Sequence, residues 1–144
     1  MKSEEQIRNE AIYAVAQKMM IAARTAPKGR GTDNMVISVV GKETIDKIAV
    51  KMKELVKNEN WPHSFERDAG NILNSPYMVL LGTKIKSMQL KICGMCGYKN
   101  CDEKDKHPEV PCVFNTGDLG IAIGSAVSIA MDNRVDNRIM YTVG

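Results

Sequence analysis

The chain has 144 residues, a length typical of one domain with a buried core, and we expect residues 1–144 to form a single domain. Its hydrophobic content of 44% excludes wholesale disorder, and its formal net charge of +3 is too small to indicate nucleic-acid binding. The charged N-terminus has no apolar signal region, and no run approaches the roughly 18 apolar residues of a membrane span. We therefore expect a soluble, cytoplasmic protein that binds neither nucleic acid nor a membrane.

The first predicted element is an amphipathic helix from Ser3 to about Arg24. Ser3 and Gln6 form a capping-box pattern, and apolar residues follow at helical spacing. This stripe consists of Ile7, Ala11, Ile12, Val15, Ala16, Met19, Ala22 and Ala23. A stripe of this kind is typical of a helix that packs on the core.

A basic, glycine-containing loop follows this helix at residues 25–34. Arg24, Lys28 and Arg30 bring positive charge to it, and its glycines leave main-chain amides accessible. Guanidinium groups and free amides are the parts of a phosphate site, so the loop is a candidate one. A solvated basic turn is the simpler alternative, because basic loops are common on protein surfaces.

Two strands and two helices are predicted in the middle of the chain. Met35–Val40 is rich in β-branched residues and predicts a buried strand, and a helix with a charged outer face follows from Thr44 to Lys57. A short helix is predicted from Ser64 to Ile72, and a second strand from Pro76 to Gly82.

A long apolar helix is predicted near the C-terminus, beginning at Thr116 or Asp118 and running to about Asp132. It is apolar nearly all round, which fits a buried helix or one completed by a partner chain. Its small residues Gly120, Gly124 and Ser128 would let another backbone, or a flat ring, approach closely. A third strand is predicted at residues 139–143, and the element order predicts an α/β, or α+β, protein.

All the cysteines lie in one segment with the spacing C-x2-C-x4-C-x10-C. They are Cys93, Cys96, Cys101 and Cys112. Gly94 and Gly97 follow the first two, and without a Cβ they permit the positive φ values of a tight turn. Crowding of the cysteines, in a chain without an export signal, favours a metal site over disulfides. We expect this site to be an insertion at about residues 91–115.

Two kinds of metal centre fit these cysteines: a [4Fe–4S] cluster or a structural zinc ion. The cluster is favoured, because zinc sites more often use two separated C-x2-C pairs. The charged segment at residues 102–108 is predicted to be an exposed loop. His107, in that loop, is a less favoured substitute ligand for zinc. Lys91 and Lys99 are expected to raise the reduction potential of a cluster, because positive charge favours its reduced form.

The Cys-Gly-x-Cys-Gly-Tyr-x-x-Cys arrangement, with Cys112 downstream, resembles the four-cysteine [4Fe–4S] motif of small ferredoxin-type domains in anaerobic redox proteins. The whole combination resembles an uncharacterised family of ferredoxin-domain proteins, a domain of unknown function in anaerobic bacteria and archaea. This resemblance implies a cysteine-rich iron–sulfur loop carried on an α/β framework.

The remainder of the chain resembles a compact nitroreductase-like flavoprotein. The matching parts are the helix that ends in Ala22–Pro27, the loop to Asn34, the strand after it, and the late apolar helix with the strand that follows. The resemblance implies a small sheet flanked by helices and FMN bound at a homodimer interface. Carried over to this sequence, the flavin loop corresponds to Arg24, Thr25, Lys28, Arg30 and Asn34. It implies no catalytic residue.

Three functional hypotheses follow from these patterns. In the first, a redox enzyme passes electrons from the cluster to FMN and on to a small-molecule substrate. In the second, the protein is a ferredoxin-like electron carrier that docks a redox partner protein and has no substrate of its own. In the third, zinc stabilises a binding module without redox activity.

Overall fold

A computed structural model describes all of residues 1–144. The fold is α+β, as the sequence predicts, with helices packed around one antiparallel pair of strands. The helices are α1 (Glu4–Thr25), α2 (Lys42–Glu59), α3 (Ser64–Ile72), α4 (Cys101–Lys104) and α5 (Val113–Asp132). The strands are β1 (Met35–Gly41) and β2 (Tyr77–Thr83), in a register that pairs Met35 with Thr83 and Gly41 with Tyr77.

Helix α1 begins where the capping box places it. The amide of Gln6 donates to Ser3 Oγ at 3.3 Å, and the amide of Ser3 donates to Gln6 Oε1 at 3.0 Å. The predicted core stripe is buried only in the second half of the helix, however. Residues 1–11 are exposed at every position, whereas Val15 and Ala23 are buried. The expectation that the whole stripe packs on the core is therefore wrong for its first turns.

Two apolar clusters lie on opposite sides of the strand pair. One cluster joins α1, β1 and α5 and consists of Ala23, Ala26, Met35, Ala122 and Ala126. The other joins α2 to α3 and consists of Ile45, Ala49, Met52, Ala69 and Ile72. The inward side chains of α1 and α5 are mostly alanines, so these two helices pack closely against each other. This packing brings the C-terminal end of α1 close to the first turns of α5, where Gly29 donates a hydrogen bond to Asp118.

The predicted third strand is wrong. Tyr141–Val143 forms a 3₁₀ turn instead. Thr142 Oγ1, in this turn, donates to Asp68 Oδ2 at 2.9 Å. Met140 and Val143, on either side, pack against the α2–α3 cluster. These tertiary contacts hold a β-prone sequence in a compact turn that no strand of the sheet can pair with.

The predicted start of the last helix is also wrong. Helix α5 begins at Val113, with Cys112 as its N-cap residue, so the two expected caps lie inside the helix. Thr116 Oγ1 donates to the carbonyl of Val113 at 2.9 Å, while the carboxylate of Asp118 accepts from the amide of Gly29. Because the helix is longer than predicted, α5 is also the one helix long and apolar enough to cross a membrane, judged by length and composition alone.

Candidate metal centre

The cysteine segment connects β2 to α5 and positions its thiols on three different local structures. Cys93 and Cys96 lie in the loop and are half-buried. Cys101 is the first residue of α4, and Cys112 is the N-cap of α5; both are buried. All four are free thiols, so no disulfide competes for them. A thiolate cluster requires this donor set.

A tight turn over residues 94–97 follows Cys93 and contains Cys96. The amide of Gly97 donates to the carbonyl of Gly94 at 3.0 Å, and Gly97 has a φ of 89°, which favours glycine. Gly97 therefore uses the conformational freedom that both glycines have, whereas Gly94 does not. One left-handed residue is sufficient to close the turn. A Cβ at Gly94 would instead lie 3.4 Å from the carbonyl oxygen of Tyr98.

Helix α4 fixes the third cysteine, although this segment was predicted to be an exposed loop. Asn100 caps the helix, because its Oδ1 accepts a hydrogen bond of 2.9 Å from the amide of Glu103. The amide of Leu90 donates to Cys101 Sγ at 3.2 Å, within the range of a hydrogen bond to sulfur. Ser87 Oγ donates to Asp105 Oδ2 at 2.8 Å and joins the same chain segment to the other end of α4. Residues 87–90 thus orient Cys101 from outside its own loop.

The fourth cysteine lies at the N-terminus of the 20-residue helix α5. The unpaired amides and the dipole of a helix N-terminus favour negative charge, so Cys112 lies where a negatively charged group is stabilised. The first turn of α5 is held by Asn115, whose Nδ2 donates to the carbonyls of Lys84 and Lys86. Residues 84–90 therefore contact the elements that carry both buried cysteines.

Lys104 is a second feature of the site, and sequence reasoning missed it. Its side chain is 2% exposed, and its Nζ lies 3.7 Å from Asp105 Oδ1, its one carboxylate neighbour. Lys104 follows Cys101 by three residues on α4, so both side chains occupy one side of the helix. Asn100 followed by an acidic first turn was the available signal, because that pattern predicts a helix start and hence this spacing.

The four thiols do not converge on one point in this structure, and this holds for a cluster and for a zinc ion alike. No three Cys, His, Asp or Glu side chains converge on one point in the structure. His107, the predicted substitute ligand for zinc, stacks on the ring of Tyr98 with 4.8 Å between centroids. Its Nδ1 lies 3.6 Å from Glu109 Oε1, so its neighbours are an aromatic ring and a carboxylate.

The predicted flavin loop has polar side chains with partners inside the chain. Arg24 Nη1 donates to Asp33 Oδ2 at 2.6 Å and to the carbonyl of Met35 at 3.1 Å. The hydrogen bond from Arg24 is the main cause that holds the pKa of Asp33 below its ordinary value. Lys28 Nζ donates to three carbonyls at the end of α1 and so caps that helix.

The other three residues of this loop are also engaged. Thr25 Oγ1 donates to the carbonyl of Ile21 at 3.0 Å, and Arg30 Nη1 donates to that of Met88 at 3.1 Å. Asn34 is buried, and its Nδ2 donates to Asn115 Oδ1 at 3.2 Å. The structure therefore links this loop to residues 84–90 through Arg30 and Asn34, which is a structural role that the sequence did not indicate.

Comparison with known proteins identifies the family. Residues 109–144 match a family described as "uncharacterized protein containing a ferredoxin domain" (DUF2148). An uncharacterised protein of Archaeoglobus fulgidus is 37% identical over 149 aligned positions, which cover 99% of this chain and 80% of that protein. The chain belongs to this ferredoxin-domain family. The resemblance to ferredoxin-domain proteins is thus confirmed, and the part matched by the family includes Cys112 and all of α5.

Membership of the ferredoxin-domain family implies an iron–sulfur cluster and an electron-transfer role. The residues of this chain fit a cluster chemically: four thiols are free, one accepts a main-chain hydrogen bond, and another lies at a helix N-terminus. The nitroreductase-like part of the resemblance stays a prediction.

Proposed function

We propose that the protein is an electron carrier in which Cys93, Cys96, Cys101 and Cys112 hold a [4Fe–4S] cluster. The observation that carries the proposal is the set of four free thiols in a member of a ferredoxin-domain family. In the proposed arrangement, Cys93 and Cys96 lie at a glycine-containing turn, and Cys101 and Cys112 lie at helix N-termini. We further propose that residues 1–144 are one domain and that residues 91–115 are its metal-binding insertion.

A bound cluster supplies single-electron transfer, and the protein tunes how readily this occurs. The Leu90 amide and the N-terminus of α5 both stabilise negative charge on sulfur. Lys104 adds a positive charge in a buried position, where water and salt screen it less than they screen Lys91 or Lys99. These three features favour the more negatively charged, reduced state.

The surface beside Cys93 and Cys96 suits contact with a redox partner protein. Ile92 is 96% exposed and Met95 is 68% exposed, and both flank half-buried thiols. Exposed apolar side chains next to a redox centre favour transient docking, since their burial contributes affinity without a large interface. We propose that electrons enter and leave at this edge, while Cys101 and Cys112 lie on the buried side.

The redox-enzyme hypothesis requires FMN at the loop of residues 24–34. A phosphate there would compete with Asp33 for Arg24 and with three carbonyls for Lys28. These internal partners favour a carrier over a flavin enzyme. The two hypotheses can be separated by experiment. If FMN is bound, heating releases it, and its visible spectrum identifies it.

Anaerobic purification with analysis of iron, acid-labile sulfide, zinc and flavin tests the proposal. We expect four iron atoms and four sulfides per chain, with broad brown absorbance that bleaches on addition of dithionite. A colourless protein with one zinc ion per chain would rule out the carrier and the enzyme together. Stoichiometric flavin beside the cluster would favour the enzyme hypothesis over the carrier.

A further inference from the structure

The isolated chain exposes more surface than a folded monomer of its size. Its accessible surface is 9465 Å² for a mass of 15.9 kDa. Folded monomers of this mass expose about 7,400 Å², so the excess is roughly 2,000 Å². Stable protein interfaces bury about 800 Å² on each partner, and obligate dimers bury more. The excess area is therefore large enough to be one face of a dimer.

Part of this excess lies on the first half of α1, which forms an arm defined here as residues 4–14. Each of its positions is exposed except Ile12, which is half-buried. Ile7 and Ala11 continue the apolar stripe that Val15 and Ala23 bury on the core. At the inner end of the arm Tyr13 packs on Tyr77 of β2, with 5.1 Å between ring centroids, whereas Ile7 and Ala11 are exposed. A helix whose apolar face is uncovered is marginal in water, because its stability comes largely from packing of that face. Nothing in the same chain covers this part of the stripe.

The outer face of α5 provides a matching surface. Gly117, Gly120, Ile121 and Gly124 fall on one side of the helix, and all four are exposed. A Cβ built at any of these glycines has no atom within 4 Å, so packing within the chain does not require glycine there. Glycine is among the poorest residues for a helix interior. A second helix that approaches the backbone closely would explain why these positions lack side chains.

We propose that the chain forms a symmetric homodimer in which the arm of each copy packs on the outer face of α5 of the other. A two-fold axis makes both contacts equivalent, so each copy donates one arm and accepts one. The pairing covers the exposed Ile7 stripe and the exposed Ile121 with one interface. The inference is independent of the cluster, since neither surface includes a cysteine.

Two variants test the interface: one disrupts the arm, and the other disrupts the outer face of α5. Ile7→Lys places a charge on the arm, and Gly124→Leu adds bulk to the outer face of α5 at a position where a Cβ meets no atom within 4 Å. Val50→Lys is a matched control, because Val50 on α2 is 57% exposed and Ile7 is 53% exposed. Sedimentation equilibrium measures the dimer dissociation constant, and circular dichroism verifies that helix content is unchanged.

The expected result is a dimeric wild type, with a dissociation constant at least tenfold higher in Ile7→Lys and in Gly124→Leu and unchanged in Val50→Lys. A wild-type chain that is monomeric at micromolar concentration overturns the proposal. A dimer that Gly124→Leu leaves intact overturns the assignment to α5, and one that Ile7→Lys leaves intact overturns the role of the arm. The iron content of each variant, measured in parallel, separates this outcome from failure of the cluster proposal.

Discussion

The amide of Leu90 donates a hydrogen bond of 3.2 Å to Cys101 Sγ, across a gap of eleven residues in the sequence. This contact orients a buried thiol from a segment outside its own helix. Hydrogen bonds to sulfur are among the means by which a protein sets the potential of an iron–sulfur cluster. The segment that ends at Leu90 thus contributes to the site although it contains no cysteine.

Replacing this thiol should abolish the cluster. We expect Cys101→Ser to retain less than a tenth of the wild-type iron and sulfide, because a hydroxyl is a poor substitute for a soft thiolate ligand. Iron and acid-labile sulfide, measured after anaerobic purification, check this. Met95→Ser is the control, since Met95 lies between two cysteines but is exposed. Full cluster content in Cys101→Ser would show that this cysteine is not a ligand.

The charge of Lys104 should raise the reduction potential of the cluster. Because this side chain is 2% exposed, we expect Lys104→Met to lower the midpoint potential. A unit charge about 10 Å away at an effective dielectric constant near 20 contributes roughly 1.7 kcal/mol, on the order of 70 mV for one electron. Potentiometric titration followed by visible absorbance measures the shift.

Exposed lysines provide the comparison for Lys104. Lys99→Met should shift the potential less, because solvent and salt screen a charge on the surface. Lys104→Arg keeps the charge and should restore most of the wild-type potential. Equal shifts in Lys104→Met and Lys99→Met, or no shift in the former, would contradict a role for the buried charge.

The sequence predicts local structure well where the signal is local. The capping box at Ser3 and the β-branched run at Met35 both form as expected. It fails where distant contacts decide the outcome. Residues 141–143 have a strand-like composition but are held in a turn by Asp68, and the charged residues after Cys101 form a helix with one buried lysine.

The same distinction applies to the candidate site. Spacing alone identifies the cysteines as the candidate ligands, because their pattern lies within one short segment. Spacing does not reveal Leu90 or Asn115, since their partners are far away in the chain. Spacing also does not reveal that Asn34, which the flavoprotein resemblance assigns to the flavin loop, donates a hydrogen bond to Asn115.

Asn115 should be a large contributor to stability. Its side chain is buried and donates to the carbonyls of Lys84 and Lys86 while it accepts from Asn34. We expect Asn115→Leu to lower the free energy of unfolding by about 2–4 kcal/mol, because it removes three hydrogen bonds and leaves the buried Asn34 side chain without this partner. Urea denaturation followed by circular dichroism measures the change.

The control for Asn115 is an exposed asparagine at the other end of the same helix. Asn133 Nδ2 donates to the carbonyl of Ile129, and its replacement by alanine should change stability by only about 0.5 kcal/mol. If Asn115→Leu were as stable as Asn133→Ala, the link between α5 and residues 84–86 would have no energetic role.

Stability should fall in acid because of the carboxylate of Asp68. This buried group accepts from Arg67 Nε and from Thr142 Oγ1, both at 2.9 Å, and thereby docks the C-terminal turn on α3. The hydrogen bond from Arg67 is the main cause that holds the pKa of Asp68 below its ordinary value of 3.8. Because the pKa is lowered by folding, this stabilisation is complete above that value and is lost as the pH falls through the lower, folded pKa.

Comparison of the wild type with Asp68→Asn isolates this contribution, since both chains carry every other titrating group. At pH 7 we expect the variant to be less stable by about 1–2 kcal/mol, from weakened hydrogen bonds to a charged group. The difference in free energy of unfolding between the two chains should stay constant down to about pH 5 and become smaller below the ordinary pKa of aspartate. Urea denaturation at a series of pH values measures this difference.

Glu10→Gln is the control, because Glu10 forms an exposed ion pair with Lys2. It should be as stable as the wild type at every pH. Equal stability of Asp68→Asn and the wild type at pH 7 would contradict the stabilising role of the carboxylate. A stability difference that stays the same in strong acid would contradict it too.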